Sequence, residues 1–166
     1  IGPRVSIRGL IEVSNICAKN CFYCGIRRGN HLVKRYRIDA DEIVETAVWA
    51  YEQKFGSIVM QSGEIESPEF AAFIESVLKR ISAATGGGLG VTLSCGEQSP
   101  EVYERWRNAG ATRYLLRIEA SNPELYRRLH PADHDFNARL ECLRSLRKLD
   151  YQVGSGVMIG LPGQTV

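Results

Sequence analysis

Three cysteines, Cys17, Cys21 and Cys24, stand in the run Cys-Ala-Lys-Asn-Cys-Phe-Tyr-Cys. Three intervening residues and then two let a loop bring three thiolates to one centre. A closed structural zinc site takes four protein ligands, whereas an iron-sulfur cubane held by three thiolates keeps one iron open to another molecule. Lys19, inside the loop, favours thiolate over thiol. The competing reading is a zinc site that borrows a fourth ligand from His31, Cys95 or Cys142.

Carboxylates recur at comparable places further on, in Gln61-Ser-Gly-Glu64, Ser94-Cys-Gly-Glu97 and at Glu119. Each follows a short apolar run and sits among glycines or small polar residues. Taken singly, Glu64 and Glu97 read as solvated loop acids and the glycines as turn residues. Their appearance after successive strands raises the reading to one shared site.

The elements that must position these residues alternate regularly. Residues 5–13 carry apolar side chains in near alternation and read as a strand that feeds the cysteine loop. Asp39 and Glu42 have the logic of a capping box, and Ile43, Ala47, Ala50 and Tyr51 then share a helical face until Gly56. A strand at 57–61 precedes Ser67-Pro68, a helix start, and Phe70, Phe73, Ile74, Val77, Leu78 and Ile81 stripe the helix that follows. After Gly86-Gly87-Gly88 comes a strand at 89–93, and Ser99-Pro100 opens a helix with Val102, Tyr103 and Trp106. A strand at 113–118 runs into Glu119, Asn122-Pro123 starts another helix, and Leu140, Leu143, Leu146 and Leu149 mark a further helical face. Residues 152–159 read as a fifth strand, with the loop Gly160-Leu-Pro-Gly163 after it.

Strand and helix alternation at these lengths implies right-handed βαβ crossovers and a parallel sheet. Functional loops behind every strand suit a barrel, whose site is built at the carboxyl ends of its strands. The fold class expected is therefore α/β, a partial TIM-type (β/α) barrel of five parallel βα units. A whole barrel of about 250 residues would need some three units more, so residues 1–166 are expected to be the first half to two-thirds of a longer core domain.

The bulk composition narrows the function classes. Of 166 residues, 21 are Lys or Arg and 19 Asp or Glu, a net charge of +2 that argues for neither a nucleic-acid nor a membrane partner. No apolar run is long enough to span a bilayer and no signal-peptide pattern opens the chain, so a cytoplasmic location is expected. Five cysteines, three of them crowded together, do not read as a secreted disulfide framework. Cys95 and Cys142 read as buried small hydrophobes, His31, His130 and His134 as exposed loop residues, and Trp49 and Trp106 as helix packing residues.

The C-x3-C-x2-C motif with an aromatic before its last cysteine resembles the signature of the radical S-adenosylmethionine (SAM) enzymes. That resemblance implies that Cys17, Cys21 and Cys24 hold a 4Fe-4S cluster, and that SAM chelates the open iron and is cleaved to methionine and a 5′-deoxyadenosyl radical. It further implies that Tyr23 lies against the adenine and that Ser62, Gly63 and Glu64 match the element receiving the methionine amino group, with Ser62 replacing a glycine. Glu119 matches the residue that bonds the ribose, and the segment 156–160, with Ile159 and Gly160, matches the one packing on the adenine.

Within that superfamily the chain resembles the HydE family of iron-only hydrogenase maturases. The segments that carry the likeness are Glu12-Val-Ser-Asn-Ile-Cys17, Cys21-Phe-Tyr-Cys-Gly-Ile-Arg-Arg28, Lys34-Arg-Tyr-Arg37, Val91-Thr-Leu-Ser94 and Arg113-Tyr-Leu-Leu-Arg117. The chain differs from that pattern at Ile65, Cys95, Ile118 and His130. The likeness implies that Arg139 binds the SAM carboxylate and that Thr92 and Arg117 bind the carboxylate of a small sulfur-containing or amino-acid-derived substrate. It implies a reductant such as flavodoxin or ferredoxin, and other hydrogenase maturases, as partners. A paralogue of the biotin synthase or pyrrolysine type, or a non-catalytic iron-sulfur or zinc-binding module, are the alternatives.

Overall fold

A computed structural model describes Gly2 and residues 7–164. Its single sheet contains β1 (Arg8–Ser14), β2 (Ser57–Ser62), β3 (Gly90–Ser94), β4 (Ala111–Leu115) and β5 (Gln152–Gly154). The strands lie side by side in chain order, each parallel to the next. A doubly wound sheet reverses its strand order at a switch point; continuous order is the winding of a barrel wall. The partial barrel expected from the alternation is thus what the chain forms.

The connecting helices are α1 (Ala40–Glu52), α2 (Pro68–Thr85), α3 (Pro100–Asn108), α4 (Pro123–Leu129) and α5 (Phe136–Lys148). Each starts at a short polar residue whose side chain accepts a backbone N–H: Asp39 from Glu42, Ser67 from Phe70, Ser99 from Val102, Asn122 from Glu124 and Leu125, Asp135 from Asn137. These bonds satisfy donors that a helix start leaves orphaned. Behind the caps, Ile43, Ala47 and Ala50 of α1 and Phe70, Ile74, Val77, Leu78 and Ile81 of α2 turn one face to the sheet and are buried.

The core lies between helices and sheet. Ile11 and Val13, Ile58 and Met60, Val91 and Leu93 point that way and are buried. The intervening positions face the concave side, where Leu10 is 59% exposed. Aromatic rings then join the core to the strand ends. Trp106 Nε1 donates to Ala71 O at 2.9 Å, and the Tyr114 hydroxyl, from β4, donates to Gly96 O at 2.8 Å. Gln98 donates from its backbone to the Tyr103 hydroxyl and from its side chain to Ile65 O, so the loops after β2 and β3 are one hydrogen-bonded unit.

Several expectations need correction. The first strand begins at Arg8, and Val5 lies outside the described residues. The run 113–118 is strand only over Ala111–Leu115, and 152–159 only over Gln152–Gly154. Beyond the ladder Glu119 takes a left-handed backbone at φ +63°. Pairing resumes as an isolated bridge in which Glu119 N–H donates to Gly156 O and Met158 N–H to Glu119 O. Trp49 is 55% exposed on the outer side of α1 rather than a packing residue, whereas Trp106 is fully buried. His130 and His134 are buried, not exposed, because the turn between α4 and α5 folds under the cysteine loop and is tied to it by Phe22 N–H donating to Leu129 O. No helix among the described residues is long and apolar enough to cross a membrane.

Candidate functional site

The strand ends open into a cleft of about 410 Å³ lined by Cys17, Cys21, Cys24, Tyr23, Ser62, Gly63, Glu64, Arg117, Glu119 and Arg139 among others. The cysteine loop reaches it because β1 ends in a register shift between Glu12 and Ser14. Ser14 Oγ then donates to Tyr36 O and Ile38 N–H to Val13 O, closing the loop's far end back onto the strand. Arg35 fills the loop's interior and donates to the carbonyls of Asn15, Ile26, Arg27 and Asn30. Gly63 N–H donates to Ser14 O, and Ala18 N–H to Glu64 O, which seats the loop on the end of β2. A Cβ at Gly63 would come within 2.2 Å of Ile16 O and 2.8 Å of Cys17 Cβ, so only glycine permits this seat.

Four charges from four separate segments meet at the cleft wall. Lys19 Nζ lies 3.2 Å from Glu64 Oε1 and 3.3 Å from Glu97 Oε2, while Arg139 approaches Glu64 at 3.6 Å and Glu97 at 2.7 Å. The Arg139 Nε–H is not aligned with Glu97, so this short approach is charge attraction more than a linear hydrogen bond. Burial raises the Glu64 pKa, against the pull of Arg139 and Lys19. Burial works against the charge on Lys19, but Glu64 and Glu97 outweigh it and hold its pKa above the ordinary value. Gly96, at φ +77°, gives Glu64 its room: a Cβ there would sit 2.2 Å from Glu64 Cγ.

Across the cleft, Arg117 Nε lies 3.1 Å from Glu119 Oε1, and Glu119 Oε2 is buried without a hydrogen-bond partner. Beside the loop, Tyr23 O–H and His130 Nε2 are 3.1 Å apart, and His130 Nδ1 is 2.8 Å from Tyr126 O. A carbonyl only accepts, so the proton is assigned to Nδ1 and the Tyr23 hydroxyl donates to Nε2. Burial lowers the His130 pKa, in keeping with a neutral ring. Burial, with the neighbouring Cys17 and Cys24 adding to it, pushes the Cys21 thiol up, and the Tyr23 hydroxyl pulls it the other way.

Three of the sequence-predicted residues lie outside this cleft. Thr92 is buried in a neighbouring recess of about 300 Å³ with Arg113 and Gln152, its Oγ1 unpartnered, and so it does not meet Arg117. Ile159, 91% exposed, and the exposed Gly160, at φ +85°, follow the bridge at Val157 and do not line the cleft. Conversely, Glu97, expected at a shared site but given no role there, braces its two cations, and His130, expected as an exposed loop residue, is buried against Tyr23. For Glu97 the signal is present: the pair Gly96-Glu97 just after a strand repeats Gly63-Glu64.

The donor set fits a three-thiolate cluster. Among the described residues no three His, Cys, Asp or Glu side chains are gathered closely enough to hold a single metal ion. Cys17, Cys21 and Cys24 all line the one cleft. The fourth ligands a zinc site would borrow do not line the cleft: His31 is exposed, the Cys95 thiol is turned to Met60 O and that of Cys142 to Gln98 O. The remaining groups suit a zwitterionic nucleoside: Glu64 for a cation, Arg139 for a carboxylate, and the orphaned Glu119 oxygen for a hydroxyl.

Residues 11–166 match the family model of the Radical SAM superfamily. This chain belongs to that superfamily. Proteins of the radical SAM superfamily use a 4Fe-4S cluster and SAM. The chain is 49% identical over its whole length to the FeFe hydrogenase maturase subunit HydE of Thermotoga maritima, of which it covers 46%. It is 30% identical to a biotin synthase of Picosynechococcus sp., over 96% of the chain and 45% of that protein. It thus spans about half the length of the curated relatives it matches. Among solved structures, the maturase HydG of Carboxydothermus hydrogenoformans matches with a TM-score of 0.82 at 25% identity, covering 93% of this chain and 36% of that one. Methylornithine synthase (PylB) matches with a TM-score of 0.86 at 24% identity, over 97% of this chain and 47% of that one, a likeness of fold.

Proposed function

We propose that the chain is the first part of the catalytic barrel of a HydE-type hydrogenase maturase, a cytoplasmic enzyme that acts on a small sulfur-containing or amino-acid-derived substrate. The 49% identity over the full chain to a HydE subunit carries this reading. Cys17, Cys21 and Cys24 hold the cluster in it. When bound, cluster and SAM supply one-electron cleavage of SAM to methionine and a 5′-deoxyadenosyl radical.

The chain's own residues bind and orient. Glu64 accepts the SAM amino group, with Ser62 and Gly63 forming the floor, and Arg139 pairs with the carboxylate. Inserting a zwitterion between Glu64 and Arg139 replaces a loose 3.6 Å ion pair by two closer ones, so the exchange costs little charge pairing. Glu119 accepts a ribose hydroxyl at its free oxygen, and Tyr23 faces the adenine. Arg117, with a half-exposed side chain, serves the substrate carboxylate. A reductant such as flavodoxin or ferredoxin, and other hydrogenase maturases, are its partners.

The test uses the full-length parent protein, loaded with iron and sulfide without oxygen and given SAM and dithionite. The expected products are 5′-deoxyadenosine and methionine, and the protein is expected to restore hydrogenase activation in an extract lacking its HydE. SAM cleavage without that restoration rejects the maturase branch; a loaded cluster with no cleavage rejects the enzyme.

A further inference from the structure

One side chain holds the backbone of the cysteine loop from within. Arg35 donates from one terminal nitrogen, Nη1, to Asn15 O at 2.7 Å and to Ile26 O at 2.8 Å. From the other, Nη2, it donates to Arg27 O at 2.7 Å and to Asn30 O at 3.2 Å. Asn15 stands two residues before Cys17 and Ile26 two residues after Cys24, so a single nitrogen ties together the two flanks of the cysteine run. The second nitrogen gathers the turn that follows.

Arg35 is itself aimed. Asn15 Nδ2 donates to Lys34 O at 2.8 Å and Asn15 Oδ1 accepts from Tyr36 N–H at 2.9 Å, so one amide grips the backbone on either side of Arg35. Asn15 therefore both points the guanidinium inward and receives one of its bonds. The partners of Arg35 in the loop are carbonyl oxygens, and residues 14–37 contain no Asp or Glu, so the group is used there for its donors rather than to neutralise an acid. It does not line the cleft.

We propose that Arg35 is a positioning residue for the iron-sulfur centre: through the loop carbonyls it fixes Cys17 and Cys24 relative to one another before a cluster arrives, and Asn15 aims it. The proposal deepens the cluster reading above and rests on it. Thiolates on an irregular loop would otherwise have to be ordered at the moment of binding, which weakens the affinity for what they hold. A planar fork of donors satisfies carbonyls that converge from two directions, whereas the ammonium of a lysine is a point charge and cannot span them. Outer groups of this kind typically change metal affinity by about tenfold to a hundredfold.

Hydrogen exchange in the cluster-free, full-length protein reads the clamp without the cluster. Arg35→Ala is expected to speed exchange of the Arg27, Arg28 and Asn30 amides, which bond within the loop, by roughly tenfold, and to leave the amides of β2 at their own rate. The iron concentration needed for half-loading in the presence of sulfide should rise by a similar factor, roughly tenfold. Millimolar guanidinium should restore both in Arg35→Ala, methylammonium at the same concentration should not, and Arg35→Lys should behave as Arg35→Ala. Asn15→Ala should give a smaller change of the same kind that does not add to that of Arg35→Ala. Lys34→Ala, which removes an exposed neighbouring charge, should change neither readout. Unchanged exchange and loading in Arg35→Ala, or parental behaviour of Arg35→Lys, overturn the proposal. Faster exchange throughout the sheet without rescue by guanidinium overturns it too, since Arg35 would then serve the whole fold. A parent protein that takes up no cluster counts against the cluster reading, and the exchange rates with their guanidinium rescue then decide the clamp by themselves.

Discussion

Glu97 Oε1 lies 2.7 Å from Arg139 Nε, which ties the loop after β3 to the first turn of α5. The other oxygen of Glu97 reaches Lys19 in the cysteine loop, so one carboxylate braces two cations that flank Glu64. A single salt bridge at a surface is worth little, but Arg139 is largely buried and each of its carboxylate partners already serves two cations.

Glu97→Gln leaves Lys19 and Arg139 competing for Glu64 alone. Removing one partner of a buried pair costs about 3–5 kcal/mol, and the partial exposure of Glu97 places this change near or below the lower end. Urea unfolding of the full-length protein is the measurement. SAM binding to the cluster-loaded variant should weaken roughly tenfold, about 1.4 kcal/mol, because Arg139 is no longer held. A variant as stable as its parent would show that the brace carries no energy.

Gly63→Ala drives a methyl group into Ile16 O and Cys17 Cβ, backbone and core of the loop that cannot swing aside. Iron and sulfide content after anaerobic loading should fall well below that of the parent. Gly25→Ala provides the contrast, since a Cβ there meets nothing within 4 Å although Gly25 lines the same cleft. Equal loss of iron in both variants would falsify the steric account.

What the sequence disclosed was local. Caps such as Ser67-Pro68 and Ser99-Pro100, the helical stripes and the cysteine spacing are written within a few residues of one another, and the elements formed where those signals stood. The charge network was hidden because Lys19, Glu64, Glu97 and Arg139 come from four segments that only the sheet order brings together. Glu119 reads as the end of a strand, yet its backbone is left-handed at φ +63°, and the fifth strand stops at Gly154 rather than running to Ile159. His130 and His134 lie in a polar stretch, and their burial depends on the stacking of His130 on Tyr126 at 4.0 Å, which composition does not reveal.

Cys95 is buried, whereas the three loop cysteines are part-exposed. Burial pushes its thiol up to about 11 from an ordinary 9.0. Iodoacetamide at mildly alkaline pH should therefore label Cys17, Cys21 and Cys24 in the cluster-free protein and spare Cys95 until denaturant is added, as peptide mass spectrometry would read out. The same shift has a thermodynamic sign. Between pH 9 and 11 the unfolded thiol has lost its proton and the folded one keeps it, so stability falls as pH rises, by about 1.4 kcal/mol per unit for this group. Cys95→Ala should flatten that part of the profile; an unchanged slope would mean that the thiol is open to solvent.

Tyr23 and His130 make the last test, because their bond joins the cysteine loop to the turn after α4. With Nδ1–H given to Tyr126 O, the ring offers Nε2 only as an acceptor, and Tyr23→Phe leaves that buried lone pair unmatched. The cost should be about 1–2 kcal/mol, the lower part of the range for an unsatisfied buried group, since Tyr23 itself is 38% exposed. His130→Phe removes the acceptor and keeps an aromatic ring against Tyr126. If the bond is what couples the two sites, the double variant should be less unstable than the sum of the singles by about 1 kcal/mol. Strict additivity in urea unfolding would mean that the T-shaped ring contact, 5.4 Å between centroids, joins loop and turn without help from the hydroxyl.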